Sequence, residues 1–257
     1  MAVDPTIPQR CQVLGLPVDA CGDVLAAAIA LKAKGGGQLV TLNAEMTMAA
    51  LTNPALGVAI RQANLVIPDG AGVVWALRRQ GIRVKRSPGI ELADQLLVHS
   101  AQNHWRVALV GGSSEVMDSL KKSLPQRHQG LQLVLTIHGY QPAGLWPQLE
   151  QEILQLKPDL VLVALGIPRQ ETWINQLHQG QPGLWMGVGG SFDVWSGQKK
   201  RAPKWMGTLQ IEWLYRLIQE PSRWRRMLAL PQFALAVISG NPPKPAKQKQ
   251  AIEKIKG

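Results

Sequence analysis

Short apolar runs rich in β-branched residues recur along the first three quarters of the chain, with stretches of helical spacing between them. The runs predict strands at 12–16, 38–42, 65–68, 106–110, 132–137, 160–165 and 184–188. The intervening periodicity predicts helices, among them 22–33, 90–101, 114–124, 146–156 and 169–179. Strands that alternate with helices imply an α/β fold: a Rossmann-like, doubly wound, mainly parallel sheet with helices on both faces. No internal repeat interrupts the pattern.

After Trp195 the pattern changes. Residues 208–218 read as a helix, Pro221 opens a second one, and Pro231 is expected to kink or end it. Beyond Gly240, prolines and then alternating Lys and Gln read as a mobile tail. The expected organisation is a catalytic domain over 1–195, a basic Arg/Trp-rich helical appendage over 196–239 and a flexible basic tail over 240–257.

Charge follows the same division. The chain carries a formal net charge of +11. From Ser196 onward there are thirteen Lys/Arg against three Glu, and before it fifteen basic residues against fourteen acidic ones. The C-terminal quarter therefore holds nearly the whole charge, which points to an anionic partner such as phospholipid, nucleic acid or a phosphorylated ligand. A solvated tail explains 244–256 but not the segment around Trp205, Trp213 and Trp224, whose cations are followed by Met227, Leu228, Leu230 and Phe233. That segment reads as a membrane-surface helix. It also admits single-stranded nucleic acid, but the neutral body has no RNA-binding motif and that reading leaves the rest of the chain unused. No nucleic-acid partner is expected.

With 46% hydrophobic residues the chain can bury a core without disulfides, and Cys11 and Cys21 have no metal-ligand spacing. No signal-peptide pattern opens the sequence, and no apolar run has the length of a membrane span. A cytoplasmic location is expected.

Candidate chemistry collects where strands are predicted to end, the edge at which open α/β sheets bind ligands. These ends carry Thr41-Leu42-Asn43, Pro68-Asp69-Gly70, Gly111-Gly112-Ser113, Gly166-Ile167-Pro168-Arg169-Gln170 and Gly187-Val188-Gly189-Gly190-Ser191. One glycine pair alone is ordinary turn chemistry. Five such strand ends on one edge suggest a crevice whose backbone N–H groups meet an anion such as a diphosphate. Asp69 suits a general base that takes a proton from a hydroxyl, and equally suits a cap for a helix beginning near Ala71. Thr41 and Asn43 suit contacts to a sugar hydroxyl, or turn and cap roles. Arg86, just ahead of a predicted helix, is placed to reach a phosphate, and Gln170 to donate and accept at the crevice mouth. For Asp193 a cap or salt bridge that fixes its turn is the favoured reading. Arg216, Arg223 and Arg226 fall near one face of a helical register, a way to hold a leaving diphosphate without a metal. No Asp-x-Asp, His cluster, Walker loop or first-turn G-x-G-x-x-G is present, so neither metal, nor P-loop chemistry, nor a nicotinamide cofactor is expected.

Taken together, T-L-N at 41–43, P-D-G-x-G at 68–72, G-x-P-R-Q-E at 166–171, G-V-G-G-S-F-D at 187–193, R-A-P at 201–203 and E-W-L-Y-R at 212–216 resemble the WecG/TagA/CpsF glycosyltransferases, glycosyltransferase family 26. The resemblance runs from about Val40 to Arg226, and the tail after Gly240 has no counterpart in it. It implies transfer of a hexose, typically N-acetylmannosamine or a related sugar, from a UDP-sugar donor to a polyprenyl-diphosphate-linked sugar acceptor. It also implies inversion at the anomeric carbon, no cofactor and no metal. The family works at the inner face of the bacterial membrane, which it reaches through a basic C-terminal appendage. By position, Asp69 corresponds to the catalytic base and Thr41 to a substrate contact. Arg86 and Gln170 would line the pocket, while Arg216, Arg223 and Arg226 close over it and bind diphosphate.

Overall fold

The computed structural model describes residues 8–203, 206, 212–221 and 224–240. Its core is a sheet of six parallel strands: β3 (Gly37–Leu42), β4 (Leu65–Pro68), β5 (Arg106–Gly111), β6 (Gln132–Ile137), β7 (Leu160–Ala164) and β8 (Leu184–Gly187), in the order β4-β3-β8-β7-β5-β6. The first expected strand is a correction. Residues 12–16 do not enter this sheet but span the turn of a separate antiparallel hairpin, from the end of β1 (Gln9–Val13) to the start of β2 (Leu16–Ala20). Leu14 and Gly15 both adopt positive φ there, the geometry of a two-residue hairpin turn. The hairpin is pinned to the sheet edge by Asp19, which pairs with Arg10 at 2.8 Å and accepts from the Val66 N–H at 2.7 Å.

Strand alternation sorts the core into layers. Leu39, Ile67, Leu109, Leu162 and Met186 point to one face, under helices α1 (Val24–Ala33), α5 (Gly89–Gln102), α6 (Ser114–Arg127) and α9 (Ser191–Trp195). Val40, Leu42 and Val66 point to the other, under α2 (Ala44–Thr52), α3 (Pro54–Gln62) and α4 (Ala71–Arg79). On that same face Val110, Val163 and Trp185 meet α7 (Trp146–Leu156) and α8 (Arg169–Leu177). Each of these aliphatic side chains contributes about 2 kcal/mol through burial. Asn53 ends α2 and caps α3, accepting from the Leu56 N–H at 3.1 Å, with Pro54 at the first helical position where its missing N–H costs nothing.

Three helices follow the sheet: α10 (Glu212–Gln219), α11 (Trp224–Met227) and α12 (Ala229–Ser239). Pro231 does not end α12. It occupies the first turn, where backbone N–H groups have no intrahelical acceptor to lose. The helix ends instead at Gly240, in the left-handed conformation with φ 68°. α12 packs on α2 and α4 and sinks Phe233, 2% exposed, into the core beneath them. The helix expected over 208–218 is described only from Glu212, and the expected tail over 240–257 lies, after Gly240, outside the described residues. Among the described residues no helix is long and apolar enough to cross a membrane.

Candidate active site

The five strand ends singled out in the sequence belong to five adjacent strands: Asp69 follows β4, Thr41 and Asn43 close β3, Gly189 and Gly190 follow β8, Gly166 to Gln170 follow β7, and Gly111 and Gly112 close β5. The chain moves outward from β3 to β4, then crosses to β5 on the far side of the sheet. Strands β7 and β8 fill the interval, so these residues lie along the carboxyl edge at a topological switch point.

The tightest convergence is at β3 and β4. Asp69 does not cap α4, whose first turn is preceded by Gly70 and has no side-chain cap. Its Oδ1 accepts instead from the Gly89 N–H at 2.9 Å, at the start of α5, where the helix dipole favours a carboxylate. The Asp69 N–H donates to Leu42 O at 3.0 Å, fixing the loop on β3. Thr41 packs on the same glycine: a Cβ at Gly89 would stand 2.8 Å from Thr41 Cγ2, so only glycine admits both neighbours. Asn43 caps α2 through Oδ1, accepting from Met46 N–H at 2.9 Å, the plain cap role that the sequence left open. It also abuts Gly70, where a Cβ would come within 2.8 Å of its own. Arg86 is half-buried beside this cluster, its neighbour Ser87 donating to Pro68 O at 2.9 Å.

Glycines at the other ends have local steric reasons. A Cβ at Gly111 would stand 2.3 Å from Ala164 O, and Gly111 and Gly112 both have positive φ. Gly112 O accepts from the Gly139 N–H at 2.8 Å, joining the β5 and β6 ends. Gly189 has φ 50°, and Gly190 precedes α9, where Ser191 Oγ donates to Val188 O at 2.7 Å. Gly166 O accepts from the Gln170 N–H at 2.9 Å. Arg169 is exposed, its guanidinium 4.7 Å from the Trp146 ring centroid.

Gln170 lies deeper than the crevice mouth. It and Glu171 are each 2% exposed and bonded to one another, Gln170 Nε2 donating to Glu171 Oε1 at 2.7 Å. Burial pushes the Glu171 carboxyl up to about 7, against the lesser pull of its bonds from Gln170 and the backbone. Sequence reading passed over Glu171, because a Glu in a first helical turn is ordinarily a solvated helix-start residue. It also missed Gly89 and Glu45, both brought in by long-range packing, and it placed Phe233 on a membrane-surface helix, whereas α12 buries that ring in the core.

Helices α11 and α12 reach this edge. Arg226 Nη1 lies 3.8 Å from Glu45 Oε1, in the first turn of α2 just past Asn43, and Phe233 borders Gly72. The single helical register expected to align residues 216, 223 and 226 is broken: α10 ends at Gln219 and α11 begins at Trp224. Arg216 belongs to α10, and Arg223 lies outside the described residues. Asp193 forms the salt bridge favoured for it, with Lys199 at 2.7 Å, and Lys199 also holds Glu220 at 2.6 Å at the end of α10. Among the described residues no three His, Cys, Asp or Glu side chains gather closely enough to hold a metal ion.

Known proteins place this edge in context. The family described as the glycosyl transferase WecG/TagA/CpsF family matches residues 11–246. The chain belongs to that family. The match extends beyond the motifs at both ends, taking in most of the hairpin and the start of the C-terminal tail. Three curated relatives carry the name N-acetylglucosaminyldiphosphoundecaprenol N-acetyl-beta-D-mannosaminyltransferase. That of Bacillus subtilis (strain 168) is 36% identical over 208 residues, 80% of each chain. That of Bacillus spizizenii (strain ATCC 23059 / NRRL B-14472 / W23) is 35% identical over 207 residues, 79% of each. That of Staphylococcus aureus (strain MW2) is 36% identical over 225 residues, 85% of this chain and 83% of the relative. This WecG/TagA/CpsF member is thus a glycosyltransferase with a Rossmann-like catalytic sheet.

Proposed function

We propose that this glycosyltransferase moves N-acetylmannosamine, or a closely related hexose, from a UDP-sugar to a polyprenyl-diphosphate-linked N-acetylglucosamine, feeding synthesis of a surface polysaccharide. The observation that carries this reading is the meeting of Asp69 and Thr41 on Gly89 at the carboxyl edge, in a chain 36% identical to named N-acetylmannosaminyltransferases. Asp69 takes a proton from the acceptor hydroxyl. That oxygen bonds to the anomeric carbon as the bond from this carbon to the β-phosphate oxygen breaks, and UDP departs. One displacement from the opposite face inverts the anomeric centre. No metal takes part: the leaving diphosphate is met by backbone N–H groups of the glycine turns, by Arg86 and by Arg216, Arg223 and Arg226. Thr41, Asn43 and Gln170 orient the sugars. General-base assistance of this kind contributes about 10²–10⁴ in rate.

The acceptor's lipid requires a membrane surface, and α10 to α12 supply a fitting one. Trp213, Leu214, Ile218, Trp224, Leu228, Leu235 and Ile238 are exposed apolar side chains, and Arg225 and Arg226 stand among them. Aromatic and aliphatic groups entering the headgroup region beside cations match an anionic leaflet, here the inner face of the cell membrane.

The test is a transfer reaction with UDP-N-acetylmannosamine and a short prenyl-diphosphate-N-acetylglucosamine, read by mass spectrometry and by NMR of the new linkage. The expected product is heavier by one N-acetylhexosamine, joined with inverted configuration. Retained configuration overturns the single displacement, and an unchanged acceptor mass with every UDP-hexose overturns the transferase assignment.

A further inference from the structure

Beneath the last residue of β8 lies a polar pair whose hydrogen bonding is lopsided. Gln170 gives its Nε2 to Glu171 Oε1, yet Gln170 Oε1 and Glu171 Oε2 are buried with no partner among the described residues. The backbone around the pair is fixed. Glu171 O accepts from Gln38 Nε2 at 3.1 Å, and Gln38 Oε1 accepts from Asn175 Nδ2 at 3.4 Å. Above it, a Cβ on Gly187 would stand 2.5 Å from Gln170 Nε2 and 2.9 Å from Glu171 Oε1, so the strand end packs directly on the pair. Buried polar atoms are nearly always matched, and one that is not asks for a partner that arrives from outside. Gln170 sits in the first turn of α8, directly after the β7 strand end, where such a partner is a substrate.

We propose that Glu171 is a positioning residue: by accepting the Gln170 amide N–H it fixes the amide so that Gln170 Oε1 is the atom offered to the donor sugar. This rests on reading the edge as a UDP-sugar site. The orientation selects the ligand group. A carbonyl oxygen repels phosphate oxygens, which only accept, and must meet a donor, a hexose hydroxyl or an acetamide N–H. Without Glu171 the amide is free to turn and offer N–H instead, which the same sugar group cannot use.

The test is a double-mutant cycle read by calorimetric binding of UDP and of UDP-N-acetylmannosamine to the full chain. Glu171→Leu, similar in size but with no acceptor for the Gln170 amide, is expected to weaken UDP-N-acetylmannosamine about tenfold, the worth of one directed hydrogen bond, and to leave UDP unchanged. In a Gln170→Ala background the same substitution is expected to change neither. Asn175→Ala, which disturbs only the far end of the cluster, is expected to be neutral throughout. If Glu171→Leu does not fold, as judged by melting, Glu171→Asp takes its place, since the shorter arm withdraws the acceptor from Gln170. Equal weakening of UDP and UDP-sugar, or an undiminished effect without Gln170, overturns the positioning role. A wild-type chain that binds neither ligand overturns the site reading as well, and so separates the two failures.

Discussion

Raising the pH from about 5 to about 8 ionises Glu171 inside the folded chain, and the cost of that ionisation follows from its surroundings. The carboxyl is buried, with Gln170 and the backbone as its hydrogen-bond donors, and burial lifts it from 4.5 to about 7. Between these values the unfolded chain has lost the proton and the folded chain retains it. Folding then takes up a proton, so stability contributed by this group falls as pH rises from about 4.5 and levels off above about 7. At about 1.4 kcal/mol per pH unit the full loss is about 3 kcal/mol, a large part of the 5–15 kcal/mol that holds a typical domain. Other groups titrate with the opposite sign. Burial raises Asp159, but bonds from Lys32 and from the Arg106 N–H prevail and lower it, so its contribution is lost as pH falls. The assay is therefore a difference: melting temperature against pH for the wild type and for Glu171→Gln, which cannot ionise. The variant is expected to gain on the wild type by roughly 10 °C between about pH 5 and about pH 8, taking roughly 2–4 °C per kcal/mol. Two melting curves that run parallel across this range would refute the argument, because a carboxyl that titrates near 4.5 in both states adds no slope there.

Further expectations concern packing and the membrane. Phe233→Ala leaves a hole between α12, α2 and α4 and is expected to cost about 3 kcal/mol, seen as a melting point lower by roughly 10 °C. Gly187→Ala pushes a methyl onto Gln170 Nε2 and is expected to weaken UDP-sugar binding and lower the melting temperature together, measured on the same sample. Trp213→Ala combined with Trp224→Ala removes two exposed rings and is expected to cut sedimentation with anionic vesicles severalfold while leaving the melting temperature unchanged. Truncation before α10 is a poorer test of membrane contact, since it also removes Phe233 from the core.

The sheet was legible because its strands, buried on both faces, read as continuous apolar runs, and five of the predicted strand ends fall on adjacent strands. The hairpin was not, because Leu14 at positive φ is an unusual turn residue and Gln12 to Leu16 read as one run. Asp69 stood out by its place between Pro68 and Gly70, but its partner Gly89 is twenty residues away, and only the fold shows that it serves α5 rather than α4. Glu171 was hidden for a similar reason: a polar first turn looks solvated until β8 is laid over it. Pro231 misled because a proline's effect depends on its distance from the helix start, which no local pattern gave.

The role of Asp69 is tested most directly by the rate of acceptor-dependent UDP release, wild type against Asp69→Asn, with UDP-N-acetylmannosamine and a short prenyl-diphosphate-N-acetylglucosamine. The amide keeps an oxygen for the Gly89 N–H but cannot take the proton, so turnover is expected to fall by about 10²–10⁴ while the melting temperature and UDP affinity hold. Turnover within a few-fold of the wild type from the folded variant would contradict it.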